Sequence, residues 1–148
     1  MNLSQGKAQA AQPGRISDDD YRTLAQFRHA LRRFLAFSES AAQGAGLMPQ
    51  QHQALLAIKG LSLDTPPSVG EMAEYLFIKH HSAVELISRL VRMELVTRTR
   101  DPLDGRRVLV GLTPLAEEKL SALSATHLQE LRTIRPLLME LLTRFDEH

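Results

Sequence analysis

Apolar residues recur at helical spacing from Tyr21 through Leu24, Phe27, Leu31, Phe34 and Leu35 to about Ala42, a continuous stripe along one long predicted helix. Ser17 followed by Asp18, Asp19 and Asp20 sets its start, because a hydroxyl caps a free amide and carboxylates favour the positive end of a helix. Gly44 and Gly46 end it. Pro49 suits the first turn of a second helix in which Leu55, Leu56, Ile58 and Leu61 are expected to face a core, and the Asp64-Thr65-Pro66-Pro67 stretch breaks that helix.

Ser68 and Glu71 have the spacing of a capping box, so a third helix starts there with Met72, Ala73 and Leu76 inward. Residues Phe77 to Lys79 make a short connection. From His80 to Met93 the apolar Ala83, Leu86, Ile87, Leu90 and Val91 share one side, and His80, His81, Val84, Glu85, Ser88 and Arg92 share the other. Two short helices joined in this way, the second with a polar outer face, form a helix-turn-helix candidate. Val96 to Arg100 and Val108 to Leu112 are β-patterned runs around the turn residues of DPLDG, which predicts a hairpin with a basic tip. Pro114 opens a further helix with Leu115, Leu120, Leu123, Leu128 and Leu131, and Pro136 is expected to break it before a last apolar helix, Leu137 to Phe145.

Composition narrows the function classes. The 148 residues, 43% hydrophobic and 24% charged, suit one ordinary globular domain with helical extensions. There is no cysteine, hence no disulfide framework, thiolate metal site or cysteine nucleophile, and a cytoplasmic location is expected. The first residues lack the apolar run of a signal peptide and read as a flexible arm, and no stretch has the length to span a bilayer. A Gly-rich phosphate loop and a nucleophile elbow are both missing, so an enzyme is not expected, nor is a cofactor. Net charge is only +1, but Leu76 to Val110 carries seven basic and four acidic residues, so positive charge concentrates on the helix-turn-helix and hairpin. Local positive charge in a nearly neutral chain is the footprint of phosphate binding by one module.

The order of elements, together with the segment RTRDPLDGRRVLVGLTPLAEEKL, resembles the MarR family of winged helix-turn-helix transcriptional regulators, over roughly Asp18 to the C-terminus. The resemblance implies a mainly α fold with a small β-hairpin wing, and a homodimer on a pseudo-palindromic double-stranded DNA operator. It also implies loss of DNA affinity when a small aromatic or anionic effector binds. The corresponding division is a flexible arm (1–16), an N-terminal dimerisation helix (17–46), the DNA-binding module (47–113) and C-terminal dimerisation helices (114–148).

A helix in the major groove offers its first turns to base edges and later turns to phosphates, which assigns Lys79, His80, His81, Ser82, Val84 and Glu85 to the bases and their flanks. Ser88 and Arg89 suit backbone contacts, and Ser68 suits a phosphate at a helix N-terminus. Arg98, Arg106 and Arg107 complete the basic surface, the tip arginines being suited to a narrow minor groove. In the family pattern an Asp near the wing tip steadies an Arg; Asp101 or Asp104 with Arg107 can form that pair, and which Arg reaches DNA stays open. Glu94 stands where many members carry glycine, implying a strained or differently closed end to the recognition helix, and Glu85 stands where a basic or small polar residue is common.

The terminal apolar stripes exceed what a compact winged helix needs and are expected to pair two subunits, through Leu137, Leu138, Leu141, Leu142 and Phe145. An effector pocket is expected near Phe27, Arg28, Arg32 and His52, an Arg suiting an anion. The six histidines are scattered and none forms a tight ligating pair, so no metal is expected. The alternatives are a zinc-responsive regulator of the same fold and a winged-helix module that binds another protein.

Overall fold

The structure is a computed structural model and describes residues 14–146. The expected arm therefore lies almost wholly outside the described residues. The order is α1 (Asp18–Gly44), α2 (Pro49–Leu61), α3 (Val69–Tyr75), α4 (His80–Arg92), β1 (Val96–Arg100), β2 (Val108–Leu112) and α5 (Pro114–Phe145).

The helix starts follow local chemistry. Ser17 and Asp20 form a capping box on α1, with Oγ accepting from the Asp20 amide at 3.1 Å and Asp20 accepting from the Ser17 amide at 3.0 Å. Ser68 and Glu71 do the same for α3, and Thr113 caps α5 by accepting from the Ala116 amide at 3.2 Å.

Three helices end in one way. Gly46, Phe77 and Glu94 adopt left-handed backbone (φ 77°, 55° and 61°), and the residue after each bonds back to the helix: Leu47 to the Ala42 carbonyl, Ile78 to Ala73 and Leu95 to Leu90. This is the Schellman closure, which normally calls for glycine. Two of the three positions hold other residues, so Glu94 ends α4 under backbone strain, and Phe77 adds a second such site at the end of α3.

Two expectations are overturned, one at Pro136 and one on the faces of α2. Pro136 does not end a helix: α5 runs unbroken for 32 residues. Proline removes one backbone bond, but its ring is exposed, and the turns beyond it are held against α1. There Phe145 meets Phe27 edge-to-face at 5.9 Å and Arg144 donates to Gln26 Oε1 at 3.3 Å. In α2, Leu55 and Ile58 are fully buried but Leu56 and Leu61 face outward, because the small Ala54 and Ala57 occupy the inner face at those turns.

The core joins Leu55, Ile58, Met72, Ile87, Leu90, Leu95, Val96, Val110 and Leu120, drawn from α2 to α5, both strands and the turn before β1. β1 and β2 pair antiparallel, with Val96 opposite Leu112 and Arg100 opposite Val108. Ser68 bridges to Leu109, and the Val110 amide donates to the Pro67 carbonyl at 2.9 Å, which ties the start of α3 to the hairpin. Thr113 joins three elements: its hydroxyl donates to the Glu94 carbonyl at 2.7 Å, its amide to the Leu95 carbonyl at 3.0 Å, and its Oγ caps α5. Among the described residues no helix is long and apolar enough to cross a membrane.

Candidate nucleic-acid interface

The buried side of α4 (Ala83, Leu86, Ile87, Leu90) fixes which side faces out. His80, His81, Val84, Glu85 and Arg89 are exposed, and Ser82 and Ser88 are half-buried at its margins. Lys79, at the N-cap, is exposed too.

The outer surface divides along the helix axis. Toward the wing lies a concavity of about 290 Å³ lined by Ser68, His80, Val84, Arg98, Arg106 and Arg107 among others. Toward α2, Ser82, Glu85 and Arg89 line a second, open concavity with Gln50 and Gln51 at the start of α2. Residues chosen separately on helix and hairpin thus share one surface. The structure adds Gln50 at this surface and, beneath it, Gln51, whose Oε1 accepts from the Met48 amide at 2.9 Å at the start of α2.

The wing arginines are not equivalent. Arg107 donates through Nη2 to Glu71 Oε1 and lies 3.7 Å from Asp101 Oδ2, so two carboxylates hold it. Arg106 reaches only Asp104, at 3.5 Å through Nε, and its side chain is 94% exposed against 47% for Arg107. Each Asp therefore serves a different Arg. Arg106 remains extended at the tip, where a weak exposed pair worth about 0–1 kcal/mol yields readily to a phosphate or a groove. The loop around it is braced by amide bonds from Leu103 to Asp101 Oδ1 (2.9 Å) and from Arg106 to Asp104 Oδ1 (3.1 Å). Arg98 donates to Ser88 Oγ at 3.3 Å, linking the strand to α4.

Ser68 is 7% exposed, and its hydroxyl accepts from the Glu71 amide at 3.1 Å, so it acts first as a cap. Glu71 entered the sequence reading only as the other half of that cap; no local signal marks it as the partner of an arginine 36 residues away.

Of the residues expected to form an effector pocket, Phe27 packs on Phe145 near the end of α5, whereas His52 is buried against His127 with ring centroids 4.9 Å apart. Arg28 and Arg32 are exposed on α1. Of the expected subunit contacts, Leu137 and Leu142 are exposed, Leu138 is half-buried and Phe145 is shared with Phe27. Leu141 is 1% exposed within the chain itself, which leaves it no surface to offer a second copy. Among the described residues no three His, Cys, Asp or Glu side chains come together as metal ligands.

The family model described as MarR family matches residues 45–107, the stretch from the end of α1 through the wing tip. No curated protein sequence matches the chain. Among solved structures, AbsC, a MarR family transcriptional regulator from Streptomyces coelicolor, is similar with a TM-score of 0.73 at 20% identity, covering 90% of each chain. A probable transcriptional regulator from Pseudomonas aeruginosa is 27% identical with a TM-score of 0.59, over 80% of this chain and 92% of that one. A MepR variant from S. aureus, solved bound to an oligodeoxyribonucleotide, is 19% identical with a TM-score of 0.65, over 84% and 94%. With its hairpin wing, its polar-faced α4 and this match, residues 45–107 form a MarR-family winged helix-turn-helix domain, in a chain with the fold of the MarR-family transcriptional regulators.

Proposed function

We propose that the protein is a sequence-specific double-stranded DNA-binding repressor that binds a pseudo-palindromic operator as a homodimer. The observation that carries this reading is the joint surface of α4 and wing, where His80, Val84 and Arg98 face the same concavity as Arg106. In this reading His80, His81, Ser82, Val84 and Glu85 read base edges, Lys79, Ser88 and Arg89 set register on phosphates, and Arg106 enters the minor groove.

Dimerisation is supported by the apolar residues that the chain leaves uncovered. Tyr21, Leu24, Leu31 and Leu35 on α1 and Leu128, Leu131, Leu137 and Leu142 on α5 are all more than one-third exposed. An apolar surface of this kind marks an interaction face, and a two-fold pair would set two α4 helices about 34–36 Å apart on successive major grooves. We further place release by a small aromatic or anionic effector at the meeting of α1, α2 and α5. Arg28 and Arg32, exposed further along α1 toward its start, offer charge for an anion.

Selection of bound duplexes from a random library tests the reading, with the mass of the complex measured on the winning sequence. A two-fold symmetric sequence bound by two chains, with affinity falling steeply in added salt, is the expected result. Enrichment of no sequence, or salt-insensitive binding, would overturn it.

A further inference from the structure

Three helices meet at a pair of histidines that DNA binding does not use. His52 on α2 is 4% exposed, and its ring lies 4.9 Å from that of His127 on α5. From α1, Phe34 and Phe37 stand edge-on to the His127 ring at 5.9 and 5.6 Å. His127 Nδ1 lies 2.6 Å from the Leu123 carbonyl oxygen, which can only accept, so Nδ1 carries the hydrogen and donates. Nε2 lies 2.7 Å from Ser38 Oγ of α1. In the neutral ring Nε2 accepts the Ser38 hydroxyl hydrogen; after protonation it donates to the same oxygen, and the hydroxyl turns.

We propose that His52, His127 and Ser38 form a proton-binding site at the joint between the DNA-binding domain and helices α1 and α5, and that proton uptake there loosens the joint and lowers DNA affinity. The DNA part rests on the function proposed above.

The groups facing the pair are few. α1 presents Phe34, Phe37 and Ser38, none of which titrates near neutrality. The ion pair linking α2 to α5, Lys59 with Glu117, lies about two helical turns away along α2. His127 has a polar partner on each nitrogen. His52 is held below its ordinary value by burial first and by the neighbouring His127 second. The sign follows: a ring released to water gains a proton as pH falls through about 6.5, whereas the buried ring resists it. Acid therefore favours separation of α2 from α1 and α5, with no effect above about pH 7.5. Separation re-aims α4, and two recognition helices matched to successive grooves lose that match.

The test compares the full-length protein with His52→Gln and His127→Gln on one duplex selected by the protein itself, at pH 7.5 and 5.5. All three proteins share the same α4 and wing residues, so the ratio to the variant isolates the joint. Between the two pH values, wild-type Kd relative to His52→Gln is expected to rise severalfold, because burial holds the His52 ring below its ordinary value and acid favours the state in which that ring is released. His127→Gln keeps the donor and acceptor pattern and is expected to retain part of the response. A ratio that stays flat would overturn the proposal. Histidine ring NMR on the DNA-free wild type gives a second arm that stands if no duplex is found or His52→Gln fails to fold. The proposal expects His52 to titrate below the ordinary histidine value of about 6.5, in step with changes in α2 amides; titration at or above that value would overturn it.

Discussion

Arg107 and the Ser68 backbone amide share one acceptor, Oε1 of Glu71: the amide approaches to 3.3 Å and the guanidinium joins from the wing. The cap that starts α3 is thereby also the clamp that holds the wing against it. The same carboxylate cancels much of the charge Arg107 would otherwise offer a phosphate.

Glu71→Gln should therefore tighten binding to any duplex. The amide oxygen can still cap Ser68, while Arg107 loses its closer carboxylate and keeps only Asp101, at 3.7 Å. We expect the slope of log affinity against log salt to steepen by about one, and Arg106→Ala to flatten it by about one. Titrations of a fixed duplex at several salt concentrations measure both. Equal slopes for wild type and Glu71→Gln would show that Arg107 already reaches phosphate.

The left-handed closures at Phe77 and Glu94 cost backbone energy that glycine would avoid. Phe77 is 96% exposed, so its removal loses no packing. Phe77→Gly and Glu94→Gly should each raise unfolding free energy by about 0.5–1 kcal/mol. Gly46→Ala, at φ 77° with open space around it, should lower it by about 1 kcal/mol. Urea melts with unchanged m-values are the measurement, and a loss of stability in Glu94→Gly would refute the strain.

Leu141 and Leu142 are neighbours with opposite outcomes. Leu141→Ala opens a cavity between α1 and α5 and should cost about 2–5 kcal/mol of stability. Leu142→Glu, at a residue 50% exposed, should leave a folded chain with the mass of one subunit in sedimentation at micromolar concentration. Retention of a dimer by Leu142→Glu together with Leu31→Glu would move the contact elsewhere.

Pro136 interrupts the bonding of a helix that continues through it. Pro136→Ala restores that bond at an exposed position and should stabilise the chain by about 2–3 kcal/mol, seen as a raised Tm.

Where a structural choice depends on residues three or four apart, the sequence is enough to read it. Ser17 with Asp20, Ser68 with Glu71 and Pro49 at a first turn place three helix starts, and DPLDG places the hairpin. Choices made by distant partners are not legible in this way. Pro136 has the local chemistry of a breaker, and only contacts such as Phe145 on Phe27 hold the later turns straight. Helical spacing puts both Leu141 and Leu142 on an apolar stripe, but the position of α1 decides which one is covered. The α4 face was legible from its alternating sides, whereas the division of labour between Arg106 and Arg107 hangs on Glu71, a residue with its own local role. His52 and His127 belong to separate periodic patterns that give no hint of their stacking.

Thr113 pins together the Glu94–Leu95 turn that leads from α4 into β1, the exit of β2 and the first turn of α5. Recognition helix and wing therefore travel as cargo on the long helix. In the proposed dimer a tilt of α5 swings both by the same angle, so each chain would keep its grip on a single half-site, and what would be lost is the phase between two half-sites.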